Sequence, residues 1–188
     1  MRAKHSLLLI LTLLASCVVA SAQSIQSVYT TLNGKACKTI EEDEEAAGYM
    51  LQHCPGVAGY KLEVGSQDLR QGVAVISPDG TKHELTLGYI GGGAFSFLGD
   101  KAEWRVKRVK GKLVPIALIM RFSVTQMQPP DGTQKDVPYL TVTKITPHKI
   151  CLLEPQPAGR NANVEARQLA DNSADKPCYE PYGPETNQ

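Results

Sequence analysis

Several kinds of signal are missing from this chain of 188 residues. It has no G-x-S-x-G, H-E-x-x-H or C-x-x-C segment. No compact motif therefore announces a hydrolase nucleophile, a zinc site or a redox dithiol. It has no excess of charge: 20 basic residues face 19 acidic ones. Such a balance gives no electrostatic reason to bind nucleic acid or an anionic membrane. Beyond residue 22 no apolar run reaches the ~18 residues of a spanning helix. The longest, Leu113–Met120, contains Pro115.

Isolated features carry no chemistry by their pattern. His53, His83 and His148 are scattered and read as surface or turn residues, with no local nucleophile-base arrangement beside them. Gly91-Gly92-Gly93 is followed by Ala94-Phe95-Ser96-Phe97 rather than by a helix start, so it reads as a strand connection and not a phosphate cradle. The acidic run Glu41–Glu45 lacks the D-x-D-x-D-G order of a calcium loop. No cofactor and no metal site is expected.

The strongest positive signal is at the beginning. Arg2 and Lys4 precede an apolar run over Ser6–Ala20, and Ala20-Ser21-Ala22 forms a small-x-small site. These are the three parts of a secretory signal. The expected mature N-terminus is Gln23. Loss of Arg2 and Lys4 would leave 18 basic residues against 19 acidic ones. A competing lipobox, Leu14-Ala15-Ser16-Cys17, would place a lipid anchor on Cys17. The apolar run continues through Val18-Val19-Ala20 and favours the ordinary signal. The expected location is periplasmic or secreted.

Cys37, Cys54, Cys151 and Cys178 then remain, an even number in an oxidising compartment. Two disulfides follow, with three connectivities open. The short separations favour Cys37–Cys54 and Cys151–Cys178.

The rest of residues 23–188 reads as one α+β domain, mainly an antiparallel sheet, with a short N-terminal helix, a C-terminal helix and a Pro-rich tail. The acidic run opens the first helix, ending near Gln52 before Cys54-Pro55-Gly56. Period-two segments predict strands at 60–64, 70–77, 83–89, 102–108, 114–125, 139–146 and 149–153, after a first short strand near 28–32. In 114–124 one face is wholly apolar (Val114, Ile116, Leu118, Met120, Phe122, Val124). The other is half apolar, which predicts a central strand covered on both sides. Asn161–Ala174 predicts a helix whose alanines allow close approach to a sheet, with Gly72 and Ala74 as matching small positions.

Trp104, the one tryptophan, is expected in the core. Its neighbours Glu103 and Arg105 point the other way. With Arg70, Arg121 and Asp68 they form either an internal ion-pair network or a partner-binding face, since an arginine fork suits both. Arg70, Glu103, Arg105 and Arg121 are the candidate partner-binding residues.

Several pieces resemble a family of small exported bacterial proteins whose activity is uncharacterised. They are Cys54-Pro55-Gly56 with Gly59-Tyr60, Asp68-Leu69-Arg70, Glu103-Trp104-Arg105, Ile119-Met120-Arg121-Phe122, Ala166-Arg167-Gln168-Leu169-Ala170-Asp171 and Cys178. The resemblance implies a periplasmic or secreted bacterial protein and assigns no catalytic residue. The expected role is non-enzymatic binding of an envelope or extracellular protein or ligand. The alternatives are an envelope hydrolase with a site assembled from distant residues, and an inhibitor of a secreted enzyme such as a lysozyme or protease. For the inhibitor, Gly91–Phe97 is the candidate loop.

Overall fold

The computed structural model describes residues 24–128 and 130–182. The expected signal segment, Gln23 and Cys17 lie outside these residues. Strand β1 (Gln26–Thr31) is followed by β2 (Lys38–Asp43), β3 (Tyr49–Pro55), β4 (Lys61–Gln67), β5 (Arg70–Ile76) and β6 (Lys82–Glu84). Strands β2 to β6 pair in sequence order as one five-stranded meander. The second sheet takes β7 (Ser96–Val109), β8 (Lys112–Gln128), β9 (Thr133–Ile145) and β10 (Ile150–Leu152), in the order β1-β7-β8-β9-β10. A short β11 (Gln156–Pro157) also pairs with β9. Neighbouring strands are antiparallel throughout. The first strand thus skips the meander and joins β7, with Val28 opposite Trp104.

Alternation explains how the two sheets meet. Leu62, Val64, Val73 and Val75 of the meander face Trp104, Val106, Leu118, Met120, Phe122 and Val124 of the second sheet in one core. Trp104 is fully buried and donates its indole N–H to Thr30 Oγ1 at 2.9 Å. Helix α1 (Ala162–Asp171) covers the opposite face of the second sheet. There Ala166 and Ala170 pack against Ala117, Ile119, Val142 and Leu153. The expected α+β class and the central, doubly covered β8 are what the chain forms. The helix does not meet Gly72 and Ala74, which belong to β5 in the other sheet.

Three expectations are corrected. The segment Glu41–Gln52 is no helix: it is the β2–β3 hairpin, with Glu42 opposite Met50. The disulfide Cys37–Cys54 joins the two arms of this hairpin, and both sulfurs lie in the core. A covalent closure and the pairing of β3 with β4 outweigh the weak helical preference of an acidic run. Second, the apolar face of β8 is not continuous. Arg105 pairs with Ala117 but Val106 pairs with Pro115, so Ile116 is an extra residue on β8. One inserted residue exchanges the two faces. Before the bulge Leu113 and Pro115 face the core, and Val114 is exposed. Pro115 has no N–H to give the ladder, and a bulge is where a strand tolerates that. Strand β6 also ends at Glu84, and a single 3-10 turn over Thr86–Tyr89 takes Leu87 into the core instead.

The second disulfide is Cys151–Cys178. It ties the tail to β10, and Tyr179 N–H donates to Leu152 O at 2.7 Å beside it. Lys144 Nζ donates to Lys176 O at 2.6 Å, and Tyr182 meets Tyr89 edge to face. Among the described residues no helix is long and apolar enough to cross a membrane.

Candidate functional site: a clamped hairpin tip

The sequence places Arg70, Glu103, Arg105 and Arg121 among its candidate binding residues; the structure sets Arg70 on the meander and the other three on the second sheet. Glu103 and Arg105 leave β7 on the helix side and are both buried. Arg105 donates Nε and Nη2 to the two carboxylate oxygens of Asp171 at 2.7 and 2.8 Å. Arg167, one turn earlier on α1, holds Glu103 in the same way at 2.6 and 3.0 Å. Ser27 of β1 donates to Glu103 at 2.5 Å. Burial favours a neutral Glu103, but the hydrogen bonds from Arg167 and Ser27 outweigh it and hold the carboxyl below its ordinary value. These four charges bind the helix to the sheet. The i, i+4 spacing of Arg167 and Asp171 was present in the sequence, but nothing there said which strand they would meet.

Arg121 stands apart from this network, exposed, and forms no ion pair with a described residue.

Arg70 belongs to the meander, at the β4–β5 turn. Gln67 pairs with Arg70, so Asp68 and Leu69 alone make the loop. Their φ angles are 48° and 58°. Two positive φ values in a two-residue loop are the signature of a type I′ turn, which favours Asp-Gly or Asn-Gly. The β7–β8 turn follows that preference with Lys110 and Gly111, at φ 49° and 79°. At the β4–β5 turn a leucine occupies the glycine position. An L-residue there is strained by about 1–2 kcal/mol. Leu69 gains no burial in return: it is 73% exposed.

The surroundings hold this tip in place. Arg70 donates Nε to Gly93 O at 2.7 Å and Nη1 to Asp68 O at 2.9 Å, and its head also pairs with the Asp68 carboxylate. Its guanidinium lies 5.0 Å over the Phe95 ring. Ser96 N–H donates to Leu69 O, and Asp68 N–H to Ala47 O, both at 3.0 Å. Gly91 anchors the loop from below, since a Cβ there would collide with Val124. The hairpin tip and Gly91–Phe97, separate in the sequence, therefore form one surface. Between them lies a cleft of about 510 Å³ lined by Leu69, Phe95, Phe97, Ser96, Gln71 and Thr125. Phe95 and Phe97 are 38% and 43% exposed. The sequence singled out Arg70 as a contact residue; here it positions its neighbours.

Two polar clusters escaped the sequence reading. His53 and Lys82 converge on Glu63 at 2.9 and 2.5 Å across the outer face of the meander. Burial would raise the Glu63 carboxyl, but its bonds to Lys82 and His53 prevail and keep it ionised. The cross-strand register His53–Glu63 generates this cluster, and register is invisible without pairing. Ser77 Oγ and His83 Nε2 lie 2.8 Å apart beside His148. The nucleophile-base half of a hydrolase is thus suggested. Its other parts are missing among the described residues. No carboxylate hydrogen-bonds His83, and the N–H groups of Ser77 and Gly80 close the turn by bonding Thr81 O and Ser77 O. No group of three or more potential metal ligands occurs among the described residues.

Comparison with family models, with curated proteins and with solved structures finds no match to this chain.

Proposed function

We propose that this chain is an exported bacterial binding protein, without enzymatic activity, that docks on another extracytoplasmic protein through the β4–β5 tip and its cleft. One observation carries the reading: Leu69 occupies a strained position that glycine would fill better, and its side chain projects into solvent. Strain that gives the fold nothing is kept where function uses it. A protruding aliphatic side chain asks for a concave apolar partner surface, which a small ligand does not provide. The cleft beside it offers a socket for a side chain of the partner. Knob and socket together are the anatomy of a protein interface with a few anchoring residues. The two disulfides and the secretory pattern of Met1–Ala22 support an oxidising compartment outside the cytoplasm. The resemblance to small exported bacterial proteins points the same way. The clamped Gly91–Phe97 loop keeps the inhibitor reading alive as one form of this docking.

The test is site-specific photocrosslinking in envelope extracts. A photoreactive phenylalanine analogue at position 69 should trap one protein that the same analogue at exposed Ile40 does not. Purified, that protein should bind wild type and lose at least tenfold in affinity to Leu69→Asp, with the melting temperature kept. Identical products at both positions, or unchanged affinity, would refute the docking surface.

A further inference from the structure

A second site lies on the other sheet, where β7 arches away from β8. Leu98 pairs with Phe122 and Ala102 with Met120, so Gly99, Asp100 and Lys101 all stand opposite one residue, Arg121. Bulges of this kind re-aim a side chain and interrupt pairing beside sites. Gly99 makes the arch fit. A Cβ there would come within 3.0 Å of the Arg121 Cβ, tighter than side chains normally allow. The arch opens a pocket of about 440 Å³ between β7, β8 and the first turn of α1. Its apolar lining comes from Ile119 and Leu140, with Tyr29 and Asn163 at the sides.

The charges of this pocket do not balance. Glu103 reaches it, but both its oxygens are taken by Arg167 and one also by Ser27. Asp100 is exposed and forms no ion pair with Arg121 or Lys101. Counting Arg167, three cations face two carboxylates. Of the two guanidiniums at this pocket, Arg167 is held by Glu103, and Arg121 has no carboxylate partner among the described residues. A guanidinium fork matches a carboxylate with two parallel hydrogen bonds, and Lys101 adds a point charge at the rim. The apolar lining would cover a short hydrocarbon body.

We infer that this pocket binds a small monocarboxylate with an apolar body, its carboxylate on Arg121 and its chain over Ile119 and Leu140. The site is independent of the docking tip.

Hexanoate is the probe, titrated into the ¹⁵N-labelled disulfide-bonded protein and followed by amide shifts. The amides of Ile119, Arg121 and Leu140 should move together and saturate. Acetate, which lacks the body, and hexan-1-ol, which lacks the charge, should bind at least tenfold more weakly. Arg121→Gln should weaken hexanoate tenfold or more without shifting the melting temperature, and Arg121→Lys should restore part of the affinity. Leu69→Asp should leave hexanoate binding intact, which separates failure here from failure of the tip. Shifts absent from these three amides, equal binding of hexan-1-ol, or unchanged affinity in Arg121→Gln would overturn the assignment.

Discussion

Arg105 and Asp171 hold each other through two parallel hydrogen bonds, from the buried face of β7 to the last residue of α1. The pair separates two arginines that the sequence treated alike. Removing one member of a buried pair strands the other, at a cost of about 3–5 kcal/mol. The Asp171 carboxylate is 26% exposed, and water softens that figure to ~2–3 kcal/mol. Arg105→Gln should therefore lower the denaturation midpoint clearly, while Arg121→Gln leaves it in place. Equal midpoints for the two variants would show that the helix is held by packing alone.

Acid should loosen the same junction through Glu103. Its carboxyl lies below its ordinary value in the folded protein. A depressed acid contributes its full stabilisation above the unfolded-state value, near 4.5, and loses it as pH falls through the folded value. Wild type should thus lose stability on acidification below that point. Glu103→Gln should start lower and show a flatter dependence there, as read by urea unfolding at a series of pH values. Parallel pH curves for the two proteins would count against the assignment.

Leu69→Gly should make the protein more stable by about 1 kcal/mol, because glycine takes a positive φ without strain. Partner affinity should fall in the same variant. Stability gained together with binding lost is the trade expected where strain serves recognition. A Leu69→Gly protein less stable than wild type would mean that the side chain supports the fold.

Thr143 Oγ1 is buried and has no hydrogen-bond partner among the described residues. Thr143→Val keeps the shape and removes the stranded hydroxyl. It should stabilise by ~1 kcal/mol, at the low end of what an unsatisfied buried polar group costs. Thermal unfolding with reversible baselines measures it, and a destabilised variant would reveal a buried water on that hydroxyl.

Much of the architecture was legible because β-sheet and helix periods differ. The doubly covered β8 was readable from Ala117 and Ile119 on its second face, and buried Trp104 from the large apolar surface of the one tryptophan. The cysteine spacing led to the bonds that form. What stayed hidden depends on register. The bulge at Ile116 reverses which of Val114 and Pro115 is inside, and no alternation rule anticipates one inserted residue. The β2–β3 hairpin was hidden because five acidic residues look like a helix start, while the evidence for a strand sits in its partners. The docking tip shows the same limit. Asp68-Leu69-Arg70 was visible as a segment, but its positive φ angles and its clamp to Gly93 exist only in three dimensions. Glu103-Trp104-Arg105 and Ala166–Asp171, which carry the resemblance to exported proteins, are joints of the framework.

The placement of β1 fixes an order of assembly. Strands β2 to β6 are built from neighbouring hairpins, so that sheet needs only short loop closures. Strand β1 is synthesised before all of them yet pairs with β7, its Tyr29 meeting Glu103. Until β7 exists it has no ladder, and Thr30 Oγ1 has no indole N–H to accept. Closure of such a distant contact carries a larger entropy cost and slows folding relative to local pairing. Residues 26–31 thus precede the meander in the chain yet are expected to order after it, and the tryptophan would report when they do.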